Sequence, residues 1–173
     1  EVIPLDYGMS RFLADKDFIQ QCFITNEPYY VEKEGANAGT LLISESGFDP
    51  YRVIYANRPY AERHPAITKA FVRASIRGWN SYMEGPREKA DAIIRKRNPK
   101  MKREFLDFSV RTMADNNLIA GSGPEEATGL LDPDRIRDQI EALETIGMLD
   151  KPLDAESIAP LRYLPERLRS MVD

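Results

Sequence analysis

The chain has 173 residues, 42% of them hydrophobic and 30% charged, with a formal net charge of −4. That balance belongs to a globular chain, long enough for one ordinary domain or for a piece of a two-lobed protein, and the interspersed signs argue against nucleic acid as a partner. One cysteine, Cys22, and one histidine, His64, exclude an internal disulfide, a cysteine-based zinc site and a multi-histidine metal site within one chain.

The opening residues Glu1-Val2-Ile3-Pro4 carry no basic and apolar export signal, which a mature or truncated chain would lack anyway. No apolar run approaches the roughly 18 residues of a membrane helix. Tyr7 to Leu13 reads as a short helix, and Phe18 to Thr25, rich in aromatic and β-branched residues, as a strand. Pro28 suits the first turn of a helix beginning just after Asn26-Glu27, with Gly35 as its stop. Leu41-Leu42-Ile43 and Val53-Ile54-Tyr55-Ala56 read as buried strands on either side of the polar connection Ser44–Pro50.

A long helix then starts near His64-Pro65 and carries the single tryptophan, Trp79. Ile67, Ala70, Phe71, Ala74, Gly78 and Tyr82 form one apolar or small stripe, and Val72, Ile76, Trp79 and Met83 a second. Only Lys69, Arg73, Arg77, Asn80 and Glu84 make a polar one. An apolar surface that wide predicts an interior helix. After Gly85-Pro86, helices follow over Arg87–Arg97, about Lys100–Ala114, and from Asp132 to Gly147, the last with Asp132 as N-cap and Pro133 in its first position. Gly121-Ser122-Gly123-Pro124 reads as a loop and Glu166–Met171 as a short final helix. Two or three strands alone make a marginal sheet, so those at the front are expected to complete a sheet whose other members lie elsewhere.

Two stretches offer chemistry. Asn26-Glu27-Pro28-Tyr29-Tyr30 places an amide, a carboxylate and two aromatic faces where a strand opens onto a helix, the position at which open α/β sheets present ligand groups. A carboxylate accepts paired hydrogen bonds from an amino-heterocycle while a tyrosine stacks on its ring. The plainer reading is an N-cap, a solvated glutamate and two half-buried tyrosines. Ser44-Glu45-Ser46-Gly47-Phe48-Asp49-Pro50-Tyr51 is the second, suited to a hinge or a pocket-lining crossover, or to a simple polar loop. His64 at a helix start, Cys22 in an apolar run and the basic residues between Arg95 and Arg103 read as structural or solvated, and no catalytic set is arguable.

Several of these motifs together resemble the second half of the substrate-binding proteins of ABC importers. They are Phe12-Leu13 with Asp17, Thr25-Asn26-Glu27-Pro28-Tyr29, Glu32-Lys33 with Gly35, and Tyr55-Ala56-Asn57 leading to His64-Pro65. Phe71-Val72-Arg73-Ala74-Ser75-Ile76-Arg77-Gly78-Trp79 is the most specific; Ala90, Asn98-Pro99, Gly129–Arg135 and Gly147-Met148-Leu149 also fit. The resemblance is to the branch that binds thiamine pyrimidine precursors, related to binders of taurine, alkanesulfonates and nitrate.

It implies an α/β fold of the type-two periplasmic-binding-protein kind, of which this chain is the distal half, helix-rich with few strands. Residues 1–38 would be the end of the second lobe, 39–56 a crossover strand or hinge, and 57–173 the helical C-terminal part of the first lobe. The implied ligand is a small aminopyrimidine-like compound held by Asn26, Glu27 and Tyr29, with Ser46, Gly47 and Phe48 on the crossover. No catalytic residue, metal or cofactor is implied. The partners implied are the membrane subunits of an ABC importer and either a second copy or a missing first half, and the compartment is periplasmic or extracellular, with or without a membrane anchor. A scaffold or dimerisation half without ligand is the alternative. A pyrimidine synthase of the related fold, which uses a donated histidine and a cysteine cluster, fits poorly with only His64 and Cys22.

Overall fold

A computed structural model of the chain describes residues 8–121 and 127–172. Its elements in chain order are α1 (Ser10–Ala14), α2 (Glu27–Lys33), a 3₁₀ turn (Ile43–Ser46), α3 (Arg58–Arg63), α4 (Pro65–Glu84), α5 (Glu88–Arg97) and α6 (Arg103–Asp115). These are followed by α7 (Pro133–Thr145), α8 (Ala155–Ile158), a second 3₁₀ turn (Leu161–Tyr163) and α9 (Glu166–Arg169).

Local chemistry accounts for most of these boundaries. The side chain of Asn57 caps α3 by accepting from the Tyr60 amide, Asp132 caps α7 through the Asp134 amide, and Asp154 caps α8 through the Ser157 amide. Pro133 occupies the first position of α7, where its missing N–H is no loss. At the far end, the Gly147 amide reaches Glu144 and the Met148 amide reaches Leu143, the paired closure that needs a left-handed residue, and Gly147 supplies φ +70°. The same pair of bonds closes α2, from Gly35 to Glu32 and from Ala36 to Val31. In α5, Glu88 and Asp91 lie in the first turn and Arg95, Lys96 and Arg97 in the last, which complements the helix dipole at both ends.

The chain forms two compact units, each built from two separated segments. The first comprises Glu1–Thr40 and Pro86–Asn116. Its core is Val31 of α2 with Phe105 and Leu106 of α6. Arg87 pairs with Asp107 at 2.6 Å and tethers the start of α5 to α6, while the Ser109 hydroxyl donates to the Thr25 carbonyl at 2.9 Å. The second unit comprises Leu41–Gly85 and Asn117–Asp173. Ala61, Leu130, Ile136, Ala155 and Leu168 are its buried apolar residues, and burying a leucine as fully as Leu168 is worth about 2 kcal/mol. There α7 packs on α8, and α4 packs on α3 and on the Leu161–Tyr163 turn.

Two expectations from the sequence are overturned. The described residues contain no strand: Phe18–Thr25 is irregular, and Leu41–Ile43 and Val53–Ala56 have no ladder. A strand needs a neighbour to take its amides and carbonyls, and among the described residues Val53 to Ala56 find none. Their apolar side chains consequently face outward, Leu41 at 83% and Tyr55 at 91% exposure. Nor is α4 interior. It buries no residue, and Ile67 and Phe71 are more than half exposed, because the elements that pack on it are short: they leave the first apolar stripe largely uncovered and only half-bury Val72, Ile76 and Met83 of the second. The expected start of a helix at Tyr7 and the Ser122–Pro124 part of the expected loop lie outside the described residues.

Candidate functional site

The turn that enters α2 is held by its own acid. One oxygen of the Glu27 carboxylate accepts from the Phe23 amide at 2.7 Å, and the other accepts from the Asn26 side-chain amide at 2.9 Å. Glu27 is the first residue of α2, so its charge also sits at the favourable end of the helix dipole. Asn26 and Glu27 are both half-buried. A carboxylate has about four acceptor positions, so two remain on a group whose orientation is already fixed.

Cys22 stands beside this turn. It is exposed as a residue, yet partial burial around the sulfur, and then the negative charge of Glu27, push its thiol up from the ordinary value. A thiol so placed is a weaker nucleophile than a free one at neutral pH.

Tyr29 faces inward. Its ring centre lies 5.2 Å from Tyr30, 5.3 Å from Phe105 and 5.5 Å from Phe108, the first two edge-on, with the Lys33 ammonium 5.8 Å away. This aromatic cluster fastens α2 to α6 inside the first unit. Sequence pattern alone identifies the tyrosine as notable without revealing that its ring is engaged by Phe105 and Phe108, more than seventy residues away.

Ser46, Gly47 and Phe48 belong to the second unit. The Ser46 hydroxyl donates to the Ile43 carbonyl at 2.7 Å and closes the first 3₁₀ turn, Gly47 follows at φ +87°, and Phe48 is half-buried. The chain is then fastened to α7 by residues that no motif or periodicity joins. Arg135 pairs with the Asp49 carboxylate at 2.7 Å and donates through Nε to the Asp49 carbonyl at 2.8 Å, and Gln139 donates to the same carbonyl at 3.1 Å. The Asp132 amide donates to the Tyr51 hydroxyl at 3.2 Å. Among the described residues no three His, Cys, Asp or Glu side chains gather as a metal site requires, and no helix is long and apolar enough to cross a membrane.

The profile described as NMT1/THI5 like matches residues 1–89, just over half of the chain. The chain belongs to the NMT1/THI5-like family. Members of that family have a periplasmic-binding-protein-like fold and substrate-binding or related functions. The span matched to the NMT1/THI5-like family contains Asn26, Glu27, Tyr29, Ser46, Gly47, Phe48 and the whole of α4, and it ends at the start of α5. The motifs at Gly129–Arg135 and Gly147–Leu149 lie beyond it. Comparison with curated proteins and with solved structures gave no match.

Proposed function

We propose that this chain is part of a solute-binding protein that captures a thiamine pyrimidine precursor, or a similar small nitrogen compound, for an ABC importer. The observation that carries the reading is the Glu27 carboxylate, half-buried and oriented by the Phe23 amide and the Asn26 side chain within the family-matched span. An aminopyrimidine offers N–H donors to such an acceptor, and a sulfonate or nitrate would be repelled by it. Asn26 holds the carboxylate in place, Tyr29 contributes an aromatic wall, and Ser46, Gly47 and Phe48 are a second contact segment. The ligand lies in the cleft that the family's fold forms between its lobes. No bond is made or broken, so the chain is a binder and not an enzyme. It works in the periplasm or outside the cell, by itself or tethered to the membrane, and hands its ligand to the importer's membrane subunits.

A thermal-shift series with aminopyrimidine thiamine precursors, taurine and nitrate tests this. A ligand bound only by the native state raises Tm by mass action, about 2.7 kcal/mol of stabilisation at a hundredfold excess over Kd. The expected result is a shift with the pyrimidines alone, lost in Glu27→Gln. A shift with taurine or nitrate, or one that Glu27→Gln leaves intact, contradicts the assignment.

One observation favours a second reading, a half-domain that acts as a scaffold or dimerisation unit. Leu41, Ile43, Val53, Ile54 and Tyr55 are exposed, as are Ile67 and Phe71 of α4, apolar side chains available to a partner surface. A dimeric mass by light scattering, with no thermal shift for any ligand, supports that reading over the first.

A further inference from the structure

Helix α4 has an unusual charge pattern for a chain of net charge −4. From Pro65 to Met83 it contains no acidic residue, while Lys69, Arg73 and Arg77 recur at successive turns. Like charges four residues apart on a helix repel, and stable helices usually interleave acids among them. Here the positions three and four residues from Arg73 and Arg77 are Lys69, Ala70, Ala74, Ile76, Asn80, Ser81 and each other. Tertiary partners do not compensate: among the described residues neither arginine makes an ion pair or a hydrogen bond. Arg87, Arg135 and Arg58, by contrast, each reach an acceptor.

These two arginines line a hollow of about 370 Å³ together with Ala70, Ile76 and Pro165. That volume lies within the range of small-molecule sites, about 300–1,000 Å³. Packing of the Leu161–Tyr163 turn on α4 brings Pro165 to the helix. The Ile76 wall is backed by Gly129, where an added Cβ would lie 2.5 Å from the Ile76 Cγ1 atom. The result is two arginines bordering an apolar wall.

We propose that this hollow binds a phosphate monoester with a small apolar body, with Arg73 and Arg77 on the phosphate and Ala70, Ile76 and Pro165 against the body. A phosphate monoester carries about −1.5 to −2 at neutral pH, matching the two cations, and its oxygens suit the planar fork of arginine. Occupancy turns a repulsive pair into a bridged one. The hollow is lined by residues of the second unit and uses none of the residues of the pyrimidine reading, so the two readings stand or fall independently.

Isothermal titration of the full chain with phenyl phosphate tests the assignment, with inorganic phosphate and phenol as parallel arms. Saturable one-to-one binding of phenyl phosphate is expected, weakened tenfold or more by R73Q or by R77Q. Ile76→Val should weaken phenyl phosphate and leave inorganic phosphate unchanged. Arg95→Gln, an exposed cation on α5, should leave binding intact, and circular dichroism melts confirm that each variant folds. No saturable heat with phenyl phosphate overturns the proposal. So does equal binding by R73Q and R77Q, equal loss in Arg95→Gln, or inorganic phosphate binding as tightly as the ester.

Discussion

The guanidinium of Arg135 lies 3.8 Å from the centre of the Tyr51 ring while it also holds the carboxylate and the carbonyl of Asp49. One side chain on α7 therefore fixes a loop more than eighty residues earlier by charge, hydrogen bond and stacking at once. Arg135→Ala should destabilise the chain by about 1–2 kcal/mol, the sum expected of a partly exposed ion pair and a cation–π contact. Arg135→Lys should recover only part of that loss, since an ammonium cannot both stack and fork. Urea denaturation measures both, and limited proteolysis should show cleavage between Ser44 and Tyr51 rising in the alanine variant.

Gly129 has φ +85°, and a Cβ there would meet Ile76. Gly129→Ala should therefore lose about 1–3 kcal/mol, part from the left-handed backbone and part from the collision. Adding Ile76→Ala, which removes the Cγ1 and Cδ1 atoms that the new Cβ would strike, should return the second part and not the first. A double-mutant cycle with no coupling between the two positions would falsify the contact.

Phe105 is buried against Tyr29 and Tyr30. Phe105→Ala should cost about 3–5 kcal/mol, a large share of the stability of a domain this size. Tyr29→Phe keeps the ring and should stay within about 1 kcal/mol of the parent. A thermal melt in which both substitutions behave alike would mean that the tyrosine hydroxyl, and not the aromatic packing, holds α2 on α6.

The thiol of Cys22 is held up first by burial and then by Glu27. Its alkylation by iodoacetamide should accelerate with pH later than that of a free thiol, and Glu27→Gln should move the profile back toward lower pH. Because the folded state keeps this proton longer than the unfolded chain, the linked stability is intact below the ordinary thiol pKa and falls as pH rises through it toward the higher folded value. Coincident profiles for the parent and Glu27→Gln would remove the electrostatic contribution.

What could be read without the structure was what neighbouring residues decide among themselves. Asp132, Pro133 and Gly147 bound α7 because capping is a matter of three or four adjacent residues. Asn26 and Glu27 were visible as a helix entry for the same reason. Leu41–Ile43 and Val53–Ala56 carry the composition of strands, but a ladder depends on a second segment, and composition does not say where that segment is. The same limit applies to Arg135 on Tyr51 and to Phe105 on Tyr29, pairs that no periodicity links. Arg73 and Arg77 were legible as a polar stripe of α4. That they border a hollow depended on Pro165, far along the chain.

The two-segment make-up of the first unit has a consequence for the order of events during synthesis. Tyr29 and Val31 are translated roughly 4–15 s before Phe105 and Leu106, taking about 5–20 residues per second. In that interval α2, only seven residues long, has nothing to lie on and is too short to persist alone. The polypeptide emitted meanwhile, Leu41–Gly85, belongs to the other unit, which must itself wait for Leu130, Ile136 and Leu168. Neither unit can finish before the other has begun, so a nascent chain halted near Lys89 would hold the family-matched span with no α6 to seat its tyrosines.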